Sequence, residues 1–476
     1  MPIESLGSKR NGASADRHLE RLSAASRSAL QVRPIVSSPS SADNPAVNGW
    51  LALSTLVAPS APAPSTLTVA RATEVAARIG DLADEIDQRR QRWDDQSPQE
   101  GSRLPFELVL RHLLGTRHVW HWRASASDPI ASHGGVDDTS PVLRPWLDAS
   151  LTEWAWGDSA VWLSPEAGLY DPDGRQLWVA DGDDRRTDTE AKLPIPSEAR
   201  QRELSIAMQM RNRLIEPVEA VLPIWGASES VPVTPSDAAR RLLALFVTAV
   251  RAESFVGVEH PAEPSVLTRG RLQSRCPLAM TCLSPEEERF VDHSAPTAAL
   301  LDRFAWRYEA LHTLQWALEM QSSLPWPDER CDLAPVTKLM IDLPHEDLVA
   351  HARLRPVAQL ADAAELHRQL WWVLATSQGE TAAGGSIDGS RSAAAGLDPG
   401  VISERLLALA WLLRWLPGGE ASLSESKSEA EEGADVPRVL NPFRHTTDGG
   451  TDGIAAHWDA TEAWLDRGMP LGTAAI

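Results

Sequence analysis

The sequence predicts an α+β protein, with a small mixed N-terminal α+β domain followed by a mainly α-helical C-terminal domain. Three observations lead there. The runs WLALSTLV, STLTVAR and RHVWHWRA, all ahead of residue 125, are rich in β-formers or alternate with a period of two. Asp171, Pro172, Asp173 and Gly174 supply turn chemistry between Tyr170 and the Leu177 to Val179 run, the mark of a hairpin. Beyond a polar stretch at 181–195, every strongly periodic segment steps at 3.6 residues.

Residues 1–45, rich in Ser, Ala, Pro and mixed charge without a sustained period, bury too little apolar surface to offset their ordering entropy and are expected to be a disordered tail. The α+β domain is placed at 46–180. Two short strands around a Pro-rich turn open it, and a helix follows on the beat of Val75, Ile79, Leu82, Ile86 and Trp93. In RHVWHWRA, alternation sets Trp120 and Trp122 on one side and Val119 and His121 on the other. A helix is expected between Pro141 and Trp156, then the hairpin, then a linker at 181–195.

The helical domain is placed at 196–476. Thr234, Pro235 and Asp237 open one helix, and Ser284, Pro285 and Glu287 open another with the same device. The hydroxyl caps an amide, proline fills the first turn, and the acid meets the positive end of the dipole. A helix is expected from near Pro296 through AWRYEALHTLQWALEM at 305–320, with Leu301, Phe304, Tyr308, Leu311 and Leu318 on one side and Trp306, Ala310, Trp316, Ala317 and Met320 on the other. A helix apolar on both sides is buried on both, so this one reads as the central post. Arg355-Pro356 opens a helix through Leu374. Asp398-Pro399 opens VISERLLALAWLLRWL, which Pro417, Gly418 and Gly419 should stop. Mobile insertions are expected at about 378–397 and 419–456.

A formal charge of −21 opposes nucleic-acid binding, which needs a basic footprint; its first meaning is solubility, and its second an acidic surface suited to a basic protein partner. Cys276, Cys282 and Cys331 are too few and too irregular for a disulfide framework or zinc knuckle, so a reducing cytoplasm fits. No export signal or membrane span is expected. Lys9, Lys192, Lys338 and Lys427 are the only lysines, a bias that suggests a GC-rich bacterial gene.

Chemical motifs are sparse. His118 and His121 face opposite sides of their strand, and His345 and His351 are spaced wrongly for a shared metal, so neither a metal nor a cofactor is expected. His367 shares an apolar stripe with Val357, Leu360, Ala364, Trp371 and Leu374 and reads as a buried neutral imidazole bonded to a carbonyl. The tryptophans at 371, 411 and 415 lie on helices expected to be buried, which favours packing over ligand stacking. Phosphate loops, nucleophile elbows and dinucleotide fingerprints are missing, and no catalytic residue is assigned. The polar residues that do stand out are Arg307 and Glu309, about 200° apart on an apolar helix, and the adjacent Glu404 and Arg405. These four are expected to form a buried or half-buried ionic network, because each charge on the central helix needs a partner from elsewhere.

The segments TPSDAARRLLALFVTAVRAE, FAWRYEALHTLQWALEM with Pro325 and Cys331 after it, the Arg355 to Trp372 helix, ISERLLALAWLL and Trp458-Asp459 together resemble the bacterial family called domain of unknown function 4272. The likeness covers about Pro196 to Asp466, and it is most specific at Trp306-Arg307-Tyr308-Glu309 and Glu404-Arg405. It implies a helical domain and no particular reaction. The sequence therefore reads as an acidic, non-enzymatic interaction or immunity-like module, with Trp306, Arg307, Glu309, Glu404 and Arg405 as candidate binding residues. The alternative is an enzyme using Glu309, Glu404 and an arginine in a helical cleft.

Overall fold

The computed structural model describes residues 50–70, parts of 75–88 and 109–113, 116–122, 147–178 except 166, 190–218, 225–257, 266–382, 396–414 and parts of 458–465. The expected tail at 1–45 and the insertion at 419–456 lie outside the described residues, as do Trp93, Trp415 and the Pro417-Gly418-Gly419 stop.

An antiparallel six-stranded sheet forms the N-terminal part: β1 (Trp50–Ser54), β2 (Leu67–Val69), β3 (His118–Trp122), β4 (Ala160–Leu163), β5 (Leu169–Tyr170) and β6 (Gln176–Trp178), in spatial order β2-β3-β1-β4-β5-β6. Helix α1 (Ala149–Gly157) precedes β4, capped by Asp148. The period-two pattern sorts the two faces. Leu51, Leu53, Val119, Val161 and Leu163 pack with Val75, Ile79, Leu82 and Ile86 on one side. Trp50, Trp120, Trp122 and Trp162 pack with Trp154 of α1 on the other. Trp120 meets Trp154 edge to face at 5.0 Å, a geometry that adds to the area each ring buries. The β5–β6 turn follows its sequence chemistry: Gly174 takes φ 76°, its N–H bonds the Asp171 carbonyl, and the Asp171 carboxylate accepts from the Arg175 N–H.

A mainly helical region follows: α2 (Ser197–Arg211), α3 (Pro235–Glu253), α4 (Arg269–Arg275), α5 (Pro277–Met280), α6 (Pro285–Asp292), α7 (Ala298–Ala305), α8 (Arg307–Ala317), α9 (Leu333–Asp342), α10 (His345–Ala350), α11 (Val357–Ala382) and α12 (Pro399–Leu412). The caps form as the sequence requires. Thr234 accepts from the Asp237 N–H, Ser284 and Glu287 close a reciprocal capping box, and Asp398 accepts from the amides of Gly400 and Val401. Every residue of α8 is buried, and it packs against both α3 and α12. The sheet and the helices touch where the Val57 N–H donates to the Ser228 carbonyl and Thr55 Oγ1 donates to Glu229 at 2.5 Å.

Three boundaries differ from expectation. The single helix from Pro296 is two, α7 and α8, meeting at Trp306. There the Glu309 N–H bonds the Trp306 carbonyl in a three-residue turn, tighter than the α repeat. Helix α12 ends at Leu412, ahead of the proline, with Arg414 at φ 53°. Helix α11 runs on to Ala382, into the tract assigned to an insertion, and Leu397 at its far end is buried against Leu370 and Ile402. Residues 383–395 of that tract lie outside the described residues. Among the described residues, no helix is long and apolar enough to cross a membrane.

Candidate functional site

The polar residues singled out in the sequence converge at the α8–α12 contact. Arg307 and Glu309 begin α8, where helical rotation points them in different directions, and each takes its partner from α12. Arg307 Nη1 donates to Glu404 Oε1 at 2.7 Å, and Arg405 Nε donates to Glu309 Oε2 at 3.0 Å. The adjacent, oppositely charged Glu404 and Arg405 of α12 thus serve one cation and one anion that stand two residues apart on α8. A partner the sequence did not single out completes the lattice. Glu462 accepts from Arg307 Nη2 at 2.5 Å and from Arg303 Nε at 3.0 Å, and Arg303 also binds Glu286. Glu462 sits one turn after Trp458 in a short late segment, and nothing in the local pattern ties its carboxylate to Arg307.

Burial sets the energetics. Arg307 and Arg405 are 1% and 0% exposed, so their desolvation is tolerable only because carboxylates face them. Burial alone would lower the Arg307 pKa, but Glu404 and Glu462 outweigh it and hold it above its ordinary value. Glu404 is raised by burial against the pull of Arg307. For Glu462 burial acts upward, yet Arg307 and Arg303 together hold it below the usual carboxylate range. The Arg405 side chain also donates to the Pro325 carbonyl at 2.6 Å, tying the loop after α8 into the same lattice.

Trp306 lies apart from this lattice. Half-buried at the α7–α8 junction, its ring rests on Gly400, where any Cβ would overlap it, and the Arg330 guanidinium lies 3.7 Å above its centre. Of the five candidate residues, Trp306 and Glu404 are partly exposed and the other three are buried.

Two neighbouring groups escaped sequence reasoning. His312 stands one turn beyond Glu309, and Cys331 comes up from the loop before α9, with its N–H donating to Glu309 Oε1 at 2.5 Å. One donor atom each of Glu309, His312 and Cys331 lies within 4.8 Å of the others. Glu286, Asp459 and Glu462 form a second such group. Metal-ligand spacing rules could not find the first, since its members come from a helix and a distant loop. The sequence did identify the other notable imidazole. His367 is buried, its Nδ1 lies 2.7 Å from the Ala363 carbonyl, and burial pushes its pKa down from 6.5 to about 4.

Fold and site together define a helical domain braced by a buried ionic lattice and preceded by a small antiparallel sheet. Residues 202–420 match the family described as Domain of unknown function (DUF4272), and the chain therefore carries a DUF4272 domain across α2 to α12. The four lattice residues on α8 and α12 fall inside the matched span, whereas Glu462 falls beyond it. No curated protein and no solved structure matches the chain.

Proposed function

We propose that the protein is a non-enzymatic acidic interaction module whose helical domain binds a basic protein partner, with Trp306 at the contact surface. The observation that carries this reading is where the buried charges point. Arg307, Glu309, Glu404 and Arg405 bond to one another and to Glu462 rather than lining an open cleft, so they brace the domain. Other arginines are spent on backbone carbonyls: Arg202 on Trp225, Arg251 on Leu267, Phe290 and His293, and Arg355 on Trp316, Gln321 and Ser322. Among the described residues, buried arginines are matched by as many buried carboxylates, so the interior does not absorb the chain's net charge of −21. Asp328 and Glu329 are exposed in the loop beside Arg330 and Trp306, acidic positions next to an accessible indole.

The test is a binding titration of the purified chain with an arginine-rich peptide and an acidic peptide of equal length, at low and moderate salt, beside the Asp328→Lys/Glu329→Lys double variant. The reading expects the basic peptide alone to bind, with affinity falling as salt rises and lost on charge reversal. Equal binding of both peptides, or indifference to salt and to the double variant, would refute it.

A further inference from the structure

We propose that Glu309, His312 and Cys331 form a site for a single dication of the zinc class, which clamps the loop before α9 onto α8. Glu309 and His312 are three residues apart on α8, so their side chains leave the same face, and Cys331 closes over them from the loop. With one donor atom from each residue within 4.8 Å of the others, small rotamer changes bring all three to an ion whose bonds run about 2.0–2.3 Å. Carboxylate, imidazole and thiol together are the borderline-soft donor set that zinc accepts. Water would complete the tetrahedron.

A second observation is independent of that spacing. His112, His118 and His367 are buried, and each places a ring nitrogen on a backbone carbonyl, of Leu53, Val57 and Ala363 respectively. His312 is 7% exposed, and among the described residues it makes no such bond. Its Nδ1 is buried without a hydrogen-bond partner. A buried ring nitrogen left this way is costly, and a metal bond would satisfy the imidazole.

The surrounding charges accommodate the ion. Arg405 holds Glu309 Oε2 and leaves Oε1 toward Cys331, the outer contact that orients a ligating carboxylate. Arg303, Arg307 and Arg405 face Glu286, Glu309, Glu404 and Glu462, so the lattice has one more carboxylate than guanidinium. Binding is written as dication plus Cys331 thiol giving metal thiolate plus one proton released to water, and it brings the lattice to neutrality. Because the thiol must give up its proton to bind, affinity rises with pH. The group of Glu286, Asp459 and Glu462 is a poorer host, because Arg303 holds Glu286, Arg303 and Arg307 share Glu462, and the group offers neither an imidazole nor a thiol.

The experiment titrates the full, metal-stripped chain with zinc against a chromogenic chelator, records the absorption of the cobalt(II) form, and measures thermal unfolding with and without zinc. One equivalent should bind, cobalt should show a thiolate charge-transfer band, and zinc should raise the melting temperature. Cys331→Ser, at a half-buried position that tolerates serine, should abolish the band and the zinc-dependent rise. His312→Asn should weaken binding by more than the roughly tenfold to hundredfold that loss of an outer-shell partner costs. The proposal is overturned if zinc does not bind stoichiometrically, if cobalt binds without a thiolate band, or if Cys331→Ser keeps the band. Should His312→Asn fail to fold, the Cys331→Ser comparison decides alone.

Discussion

Arg307 bridges two carboxylates from separate parts of the chain, and its loss would leave Glu404 and Glu462 buried without their shared cation. Removing one member of such a group costs about 3–5 kcal/mol. Arg307→Met should therefore lower stability by an amount of that order in urea unfolding, with little change in helix content at low urea. Gly400 is constrained by space: a methyl there meets the Trp306 ring, so Gly400→Ala should displace the indole and cost about 1–3 kcal/mol, read as a lower melting temperature with altered tryptophan fluorescence. At this scale much of the lattice was legible. The angle between Arg307 and Glu309 on an apolar helix demanded outside partners, and Glu404-Arg405 offered one of each sign. Glu462, His312 and Cys331 were not legible, because tertiary approach brings them in and no sequence period marks it.

At the scale of the element, caps were the most readable feature, since an Ser/Thr-Pro-x-acid start satisfies local amides whatever the rest of the fold does. The break at Trp306 was hidden, because alanine and tryptophan at 305–306 carry no helix-stopping chemistry and the turn is imposed by packing on Gly400 and Arg330. The end of α8 is likewise set by geometry. Glu319 takes φ 62°, with the Met320 N–H on the Gln315 carbonyl and the Glu319 N–H on the Trp316 carbonyl, a helix stop that favours glycine. Glu319→Gly should raise stability by up to about 1 kcal/mol in thermal unfolding. Helix α11 contributes one pH dependence through His367. The unfolded chain protonates His367 near pH 6.5 and the folded chain only near 4, so the unfolded state binds more protons between those values. The contribution of this residue to stability is thus complete above pH 6.5 and is lost as pH falls toward 4. His367→Gln should flatten that part of the stability profile, measured as melting temperature against pH.

For the whole molecule, alternation and turn chemistry predicted the sheet, and the 3.6-residue beat predicted the helical region after it. Less visible was how the two parts meet, where polar contacts such as Thr55 with Glu229 and Val57 with Ser228 leave no trace in hydrophobic pattern. A chain beginning at Pro196 should remain mainly helical by circular dichroism yet melt below the full protein, since Glu229 loses the Thr55 hydroxyl and the Ser228 carbonyl loses the Val57 amide. A melting temperature equal to the full chain's would make those contacts energetically silent.

The claim that the lattice braces the domain, while binding belongs to the surface, is tested most directly by a double-mutant cycle on Glu309 and Arg405. Urea unfolding and basic-peptide binding are measured for Glu309→Leu, Arg405→Met, the double variant and the parent. Each single change strands a buried charge and should cost about 3–5 kcal/mol, whereas the double change removes both charges and should cost much less than their sum, with peptide affinity unchanged wherever the chain is folded. Single variants that unfold with the parent but no longer bind the peptide would contradict the account and make Glu309 and Arg405 binding residues.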